Sequence, residues 1–276
     1  MLKKILKIIF YNKMIPKNIF TTWHTKDLPY HMKENVEKIK RENPEFNVYV
    51  YDEEDCRKFL REHFDPKVLD AYDSLIPKSY KSDLWRYCIL YIYGGIYIDI
   101  KLEPINGFRF QELLDKEYFV LEKPYGSDCD VNIDMKLVKT GKPLKKHFNI
   151  FDTYVHLYYK YFNNLWKDKA AIYTALIVTN PQNIIMKECI NRICYHVKVK
   201  YYGYNQLYPT GPGLLGEVYF EKNGLENIEL FFSRNGKYII NTKKTILKQY
   251  EEYRNEQKQI KIPYYKLLWE RKKIYK

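Results

Sequence analysis

The alternation of apolar and polar residues divides the first part of the chain into short strands and helices. Residues 15–23 are typical of a buried first strand, opened by Pro16. Over 31–43, apolar residues recur every three or four positions, which predicts an amphipathic helix that ends near Pro44. Residues 46–51 alternate as a second strand. Capping residues then mark two further helices, so the order predicts a mainly parallel α/β sheet with helices on its faces.

Those capping residues are acidic. Asp52 is followed by Asp55 three residues later, and Asp65 by Pro66 at a first helical position. Beyond Asn106 the pattern is less regular. There we expect a Gly/Pro loop, a hairpin around Asn235–Gly236 and a basic, aromatic C-terminal helix or strap, over 207–216, 233–240 and 263–276 respectively.

A longer helix pattern covers 79–93 and is stopped by Gly94–Gly95. Within it, Asp83 and Arg86 are three residues apart, and Ser82 and Arg86 are four apart. Residues at these spacings are neighbours on a helix surface. A hydroxyl, a carboxylate and a guanidinium therefore converge near the start of this helix.

The strand that follows, 96–100, is expected to have two different faces. Its isoleucines point into a core, and the alternate side chains point the other way, namely Tyr97, Asp99 and Lys101. A buried strand does not normally carry Asp and Lys on one face unless that face lines a cavity. Because the glycine turn folds the strand back beside the helix, we expect Asp83, Arg86 and Asp99 to gather at the end of the sheet.

Composition and charge narrow the class of protein. The 276 residues are 46% hydrophobic and 29% charged, which is ordinary for one large globular domain. The net charge of +13 suits a nucleotide diphosphate or an anionic surface, although AT-rich coding drift also explains a lysine-rich surface. No nucleic-acid-binding motif is visible, so nucleic acid is not expected as a partner. Five scattered cysteines without CxxC spacing indicate reduced thiols in a cytoplasmic protein.

The N-terminal sequence MLKKILKIIFYNKMIPK is basic and partly apolar. Its longest uninterrupted apolar run is 8–10, too short for a transmembrane helix, and it lacks a small-residue cleavage site. A leader strand or frayed tail is expected. A short amphipathic segment that gives peripheral membrane contact is the alternative.

Four motifs together resemble the glycosyltransferase family with the DXD sugar-binding region. They are Ser82-Asp83-x-x-Arg86, Gly94-Gly95-Ile96-Tyr97-x-Asp99, Ile15-Pro16-Lys17 followed by Trp23, and Thr210-Gly211-Pro212-Gly213. The family includes yeast initiating α-1,6-mannosyltransferases and capsular polysaccharide and giant-virus glycosyltransferases. The motifs occur in the expected order between about residues 15 and 217, which makes the resemblance specific.

The resemblance implies a role for each matching residue. Trp23 is expected to stack on the donor base, with core packing as the alternative. Asp83 and Arg86 are expected to hold the donor sugar and phosphates, and Asp99, as the first Asp of the DXD, to bind the ribose and sugar. Ser82 and Tyr97 are further donor-binding candidates, although they can equally cap the helix and pack. In the C-terminal strap, Trp269 with Arg271 is expected to close over the diphosphate, or to pack on a terminal helix.

The sequence departs from the family at Lys101, where a second Asp usually coordinates Mn²⁺ or Mg²⁺. An ammonium group cannot coordinate a metal ion. Either Asp99 still holds a metal, with Glu103 or Glu217, or Lys101 neutralises the leaving diphosphate directly. We favour weakened or absent metal dependence and assign Asp99, Arg86 and Lys101 as the catalytic set.

The resemblance implies a GT-A-like, Rossmann-like sheet with helical additions in a single domain over 1–276. The donor-binding part is expected over about 15–110, and the acceptor side and strap over about 111–276. The implied reaction moves a hexose from a UDP- or GDP-sugar to a hydroxyl of a glycan, glycolipid or protein, with retention of configuration. The alternatives are a catalytically impaired nucleotide-sugar or glycan-binding protein of the same fold, and a basic protein that binds nucleic acid or a membrane surface.

Overall fold

The computed structural model describes residues 14–122, 171–203, 205–223, 228–233, 237–241, 243–260 and 262–276. Residues 1–13, which include most of the predicted amphipathic segment, and the turn Asn235–Gly236 lie outside the described residues. The described strands are β1 Asn18–Thr22, β2 Asn47–Tyr51, β3 Gly95–Ile98, β4 Leu102–Pro104, β5 Tyr118–Glu122, β6 Ala171–Thr179, β7 Leu230–Ser233, β8 Tyr238–Ile240 and β9 Thr245–Gln249. The described helices are α1 Tyr30–Glu42, α2 Glu53–His63, α3 Pro66–Ser74, α4 Lys78–Tyr93, α5 Ile184–Val199, α6 Pro212–Asn223, α7 Tyr253–Gln259 and α8 Tyr265–Glu270, with a 3-10 turn at Phe110–Leu113.

All nine described strands belong to one sheet, in the order β2-β1-β3-β6-β5-β7-β8-β9-β4. Only the pairs β1/β2, β1/β3 and β5/β7 are parallel, so the sheet is mixed and the prediction of a mainly parallel sheet is wrong. The parallel pattern holds where helices connect the strands. It fails where β7, β8 and β9 follow one another through short connections and where β6 inserts antiparallel between β3 and β5.

Helices cover both faces of this sheet, which confirms the predicted α/β class. One face carries α2 to α6, packed in a core that contains Trp85, Tyr87 and Tyr97. On the other face, side chains of α1 and the 3-10 turn pack in a second core with Ile96 and Ile98. Successive residues of β3 therefore enter different cores, as the period of two predicts.

Helix α4 is surrounded on all sides, because it packs against β3, α2, α3, α5 and α8. Between Tyr80 and Leu90, every residue of this helix except Ser82 is buried, ten in all. Three of them are charged, namely Lys81, Asp83 and Arg86. Gly94 ends the helix with φ of +60°, a conformation that favours glycine.

Local predictions of helix starts are largely confirmed. Asp52 and Asp55 form a reciprocal capping box, and the Asp65 carboxylate accepts a hydrogen bond from Lys67 N. The hairpin pairing of β7 with β8 is present. The predicted Gly/Pro loop over 207–216 is partly wrong, because Pro212 begins α6. Proline is compatible with the first turn of a helix, where its missing N–H has no partner to lose.

No helix within these described ranges is both long and apolar enough to cross a membrane.

Candidate active site

A cavity of about 460 Å³ opens where β1 and β3 end, between α4 and the C-terminal α7–α8 region. Residues from both ends of the chain line it. Six of the predicted site residues are among them: Trp23, Ser82, Arg86, Tyr97, Asp99 and Lys101. Asp83 and Trp269 are not.

Arg86 is held in the cavity floor by neighbours on several elements. Its Nη1 donates to the Thr174 carbonyl at 2.6 Å, and its Nη2 donates to Ser82 Oγ at 3.0 Å. The guanidinium lies over the Tyr97 ring, 4.3 Å from the centroid. Its Nη1 is also 3.4 Å from Asp99 Oδ1. These contacts fix both the position and the plane of a buried cation.

Asp99 follows the last residue of β3, and its backbone N–H still bonds the Ala175 carbonyl of β6 at 2.8 Å. The strand therefore ends two residues earlier than predicted. A turn follows, closed by the 2.9 Å hydrogen bond from Leu102 N to Asp99 O. This turn, rather than strand pleating, brings the side chains of Asp99 and Lys101 together.

Each carboxylate oxygen of Asp99 has a partner. Oδ1 accepts from the Tyr97 hydroxyl at 2.9 Å, and Oδ2 lies 2.7 Å from Lys101 Nζ. Burial alone would raise the pKa of Asp99, but the Lys101 ammonium and the Arg86 guanidinium lower it to about 2. Asp99 is therefore a permanent carboxylate at neutral pH.

Lys101 is held as a permanent cation by the same contact. Burial favours the neutral amine, yet Asp99 holds the pKa of Lys101 well above its usual range. Nζ also lies 5.4 Å from the centre of the Tyr173 ring, which stacks on Phe232 at 3.9 Å. The Lys101 carbonyl accepts a hydrogen bond from Tyr250 N at 3.1 Å. About a fifth of the Lys101 side chain is exposed, and Lys101 is a lining residue of the cavity.

Asp83 lies behind Arg86 instead of facing the cavity. Its Oδ1 is 3.2 Å from Arg86 Nη2, and its Oδ2 accepts from Thr210 Oγ1 at 2.8 Å. Burial raises the pKa of Asp83 to about 6, despite the opposing effects of Arg86 and Thr210. A β-carbon at Gly211 would lie 3.1 Å from Asp83 Oδ2, so the absence of a side chain lets this loop approach. The loop motif and the helix motif are thus parts of one buried cluster, and direct contact of Asp83 with a donor stays a prediction.

Trp23 forms part of the cavity wall. Its ring lies 4.2 Å from that of His24 and meets Tyr253 edge-on at 6.5 Å. The indole Nε1 is buried and makes no hydrogen bond within the described part of the chain. Stacking of Trp23 on a donor base stays a prediction.

The mouth of the cavity carries charges that the sequence patterns did not identify. Glu53 at the start of α2 pairs with Lys78 and with Lys81, the latter at 2.8 Å. Arg254 and Lys258 of α7 are also lining residues. Counted with Arg86 and Lys101, six cationic side chains line the cavity, against the two carboxylates of Glu53 and Asp99. This excess suits an anionic ligand.

The C-terminal strap reaches the cavity through a different part than predicted. Ile262, Pro263, Tyr264 and Tyr265 are lining residues. Trp269 instead donates from Nε1 to the Tyr202 carbonyl at 2.6 Å and packs on the core of the α2–α6 face. Its contact with a donor stays a prediction.

The residues near Asp99 do not fit a divalent cation. Glu103 points to Lys38 and Lys248, at 3.4 and 3.3 Å, and neither Glu103 nor Glu217 lines the cavity. Across the described residues, no three His, Cys, Asp or Glu side chains come close enough together to hold a metal ion. One carboxylate already paired with an ammonium is a poor donor set for Mn²⁺ or Mg²⁺.

Residues 29–120 match the model of a family described as "glycosyltransferase sugar-binding region containing DXD motif". Over these residues the chain is similar to DXD-type glycosyltransferases. This region includes Asp83, Arg86, Asp99 and Lys101, and excludes Trp23, the 210–213 loop and the strap. The resemblance that the motifs indicated is thereby confirmed.

Three curated relatives align with this chain over 91 to 133 residues. A mannosyl phosphorylinositol ceramide synthase of Saccharomyces cerevisiae is 33% identical over 102 residues, covering 35% of this chain and 26% of the relative. An initiation-specific α-1,6-mannosyltransferase of Candida albicans is 31% identical, covering 45% and 33%. An uncharacterized glycosyltransferase of Acanthamoeba polyphaga mimivirus is 33% identical, covering 32% and 36%. The matched part of the chain spans little more than a third of these relatives at most.

Among solved structures, the PaToxG glycosyltransferase overlays with a TM-score of 0.47 at 15% identity, covering 80% of this chain and 77% of that one. An overlay this loose does not locate individual residues.

Proposed function

We propose that this protein is a glycosyltransferase that moves a hexose from a nucleotide sugar to an acceptor hydroxyl. One observation supports this most: Asp99, Arg86 and Lys101 form a connected network in the floor of a cationic cavity, inside the DXD-type region. A carboxylate suits sugar hydroxyls, and a fixed guanidinium and ammonium suit a diphosphate. An aromatic wall at Trp23 suits a base.

In this proposal the protein positions the donor and neutralises charge. The bond between the anomeric carbon and the diphosphate oxygen breaks, and a bond from that carbon to the acceptor oxygen forms. The acceptor proton passes to the departing phosphate, on the same face of the sugar, so that configuration is retained. Arg86 and Lys101 stabilise the negative charge that develops on the leaving group.

The ionisation states of the two nearby carboxylates agree with a mechanism in which no side chain donates a proton. Asp99, with a pKa of about 2, stays charged and cannot serve as a general acid at neutral pH. Asp83, whose pKa is raised to about 6, is separated from the cavity by Arg86. Neither residue therefore acts as a proton donor, and the proposed reaction requires none.

We further propose that the charge of Lys101 replaces a metal ion, since Lys101 stands at the sequence position where the resemblance implies the second Asp of the DXD. Metal dependence would then be weak or absent. The names of the ceramide synthase and the α-1,6-mannosyltransferase suggest mannose as the first donor sugar to test, and the former suggests a phosphorylinositol ceramide as a first acceptor class.

The direct test is donor hydrolysis and thermal shift with a panel of UDP- and GDP-sugars, each with chelator or with Mn²⁺. We expect one donor class to stabilise the protein and to be hydrolysed. The Asp99→Asn variant should lose hydrolysis, whereas Asp70→Asn, a matched change at an exposed position of α3, should not.

Three results would contradict the proposal in different ways. Donor binding without hydrolysis would favour the catalytically impaired alternative. Salt-sensitive binding of DNA without affinity for any nucleotide sugar would favour a nucleic-acid-binding protein. Undiminished hydrolysis by Asp99→Asn would refute the site assignment.

A further inference from the structure

Residues 262–273, named here the rim segment, begin at the mouth of the cavity, which residues 262–265 line, and contain α8. One side of the segment faces the protein: Tyr265, Leu268 and Trp269 pack on the core of the α2–α6 face. Other apolar side chains of the same segment are not covered by the described part of the chain. Ile262, Tyr264 and Leu267 are 38%, 49% and 48% exposed.

The backbone places two of these exposed residues together. Leu267 N donates to Tyr264 O at 3.0 Å, which closes a helical turn. Residues three apart on such a turn share a side. Ile262 and Tyr264 also line the cavity, so the exposed apolar patch adjoins its opening.

Basic residues predominate among the charged residues of the same segment. The rim segment holds one acidic residue, Glu270, and four basic ones, Lys266, Arg271, Lys272 and Lys273, all of which are exposed. Lys258 adds another exposed cation at the mouth. Exposed aliphatic and aromatic side chains in a segment rich in lysine and arginine are the composition that binds the interface of an anionic bilayer.

We infer that the rim segment docks on an anionic membrane surface and presents the cavity mouth to the lipid headgroups. The positive charge supplies the attraction, and Tyr264 and Leu267 supply apolar side chains that enter the interfacial region. The partner is identified as a membrane rather than a nucleic acid because the outward set contains Ile262 and Leu267, which have no role against phosphate and base edges. If the proposed function holds, which this consequence assumes, the acceptor hydroxyl belongs to a lipid headgroup.

The test is co-sedimentation of the full chain with phosphatidylcholine vesicles that contain 30% phosphatidylserine or none. We expect binding to the anionic vesicles only, and its loss in high salt. Leu267→Ser and the double variant Lys266→Glu/Lys273→Glu should each lower the partition coefficient, the double variant at least tenfold. None of these three residues lines the cavity.

Matched controls lie on other helices. Ile184→Ser changes an aliphatic residue that is 58% exposed on α5, and Lys187→Glu/Lys222→Glu reverses two exposed lysines on α5 and α6. We expect both controls to bind nearly as the wild type does. If the control variants and the rim variants lose vesicle binding equally, the binding depends on general surface composition and not on the rim segment, and the inference is overturned.

Two other outcomes would also overturn it. If the wild-type protein stays in the supernatant with anionic vesicles, the chain does not dock on them. If the rim variants bind the vesicles as the wild type does, the contact lies elsewhere in the chain. Donor hydrolysis without vesicles, measured on the same preparations, separates the two proposals. Rim variants that hydrolyse donor but do not bind vesicles support membrane docking, whereas vesicle binding by a chain with no nucleotide-sugar affinity leaves docking intact and removes the transferase.

Discussion

The contact between Lys101 and Asp99 gives the sharpest test of metal independence. The two charged atoms are 2.7 Å apart, with about a fifth of each side chain exposed. At an effective dielectric constant of about 20, that separation corresponds to roughly 6 kcal/mol of attraction before the loss of hydration. Because desolvation offsets much of this, we take about 3 kcal/mol as the net effect of removing one partner.

Two substitutions separate the charge of Lys101 from its shape. Lys101→Ala removes the ammonium and should lower kcat/KM for donor hydrolysis about 10²-fold, with or without Mn²⁺. Lys101→Asp restores the Asp-x-Asp pattern and places two carboxylates side by side. This variant should be inactive in chelator and regain part of the activity in Mn²⁺, because the paired carboxylates then form a cation site.

The assay is the initial rate of nucleoside diphosphate release, after removal of metals and again after addition of Mn²⁺. Wild-type protein should give similar rates in both, and so should Lys187→Asp, an exposed lysine of α5. Complete loss of wild-type activity in chelator, reversed by Mn²⁺, would refute the reasoning. So would a Lys101→Ala variant with full activity.

Three more predictions concern the frame of the site. Burial raises the pKa of Asp83 from 3.8 to about 6, so its contribution to stability is greatest below pH 4 and is lost as the pH rises through 6. Between pH 4 and pH 7 the Tm should therefore decline less for Asp83→Asn than for the wild type. Parallel curves of Tm against pH would contradict this. Arg86→Lys cannot keep bonds to a carbonyl, a hydroxyl and two carboxylates, so its Tm and hydrolysis rate should both fall, whereas Arg61→Lys at an exposed position of α2 should change neither. Gly94→Ala places a β-carbon 2.5 Å from the Pro181 nitrogen at φ +60°, whereas Gly107→Ala has a similar φ and nothing within 4 Å. Chemical denaturation should show the Gly94 variant to be less stable than the Gly107 variant by at least about 2 kcal/mol. Equal losses of unfolding free energy in the two variants would exclude the steric cause.

The arrangement of the helix and strand motifs was predictable because their spacing is local. Ser82 and Arg86 share a side of α4, and the glycine turn returns the chain beside it, so the approach of Arg86 to Asp99 follows from the sequence. The position of Asp83 did not follow, because a helix buried all around has no outer side to mark the cavity direction. A spacing of three residues places Asp83 near Arg86, but it does not say which of them faces the ligand.

The rest of the site depends on contacts between distant parts of the chain. The Thr174 carbonyl and the Tyr173 ring belong to β6, which inserts antiparallel beside β3, and no local pattern at 171–179 indicates that neighbour. The mouth is closed by α7 and residues 262–265, whose predicted anchor was Trp269. Trp269 does not line the cavity and packs against the core, which is the alternative that the sequence left open. An aromatic residue in a strap gives the same sequence pattern whether it packs inward or lines a site.

The charges at the DXD position give a reason why Lys101 is compatible with the family's chemistry. In the usual pattern, two carboxylates and one divalent cation sum to zero charge, and here one carboxylate and one ammonium also sum to zero. Arg86 contributes a further positive charge to the floor in either arrangement, and Asp83 behind it is the partner of that charge. What changes is geometry: a metal ion coordinates several oxygens with fixed directions, whereas an ammonium on a flexible stem does not. The stacked pair of Tyr173 and Phe232 compensates by limiting where the Lys101 side chain can lie, and it would lose this purpose if the cavity held a metal ion at Asp99. Tyr173→Ala should accordingly raise KM for the donor in the wild type but have little effect in the Lys101→Asp variant with Mn²⁺, and equal effects of Tyr173→Ala in the two backgrounds would show that the ring serves only to pack.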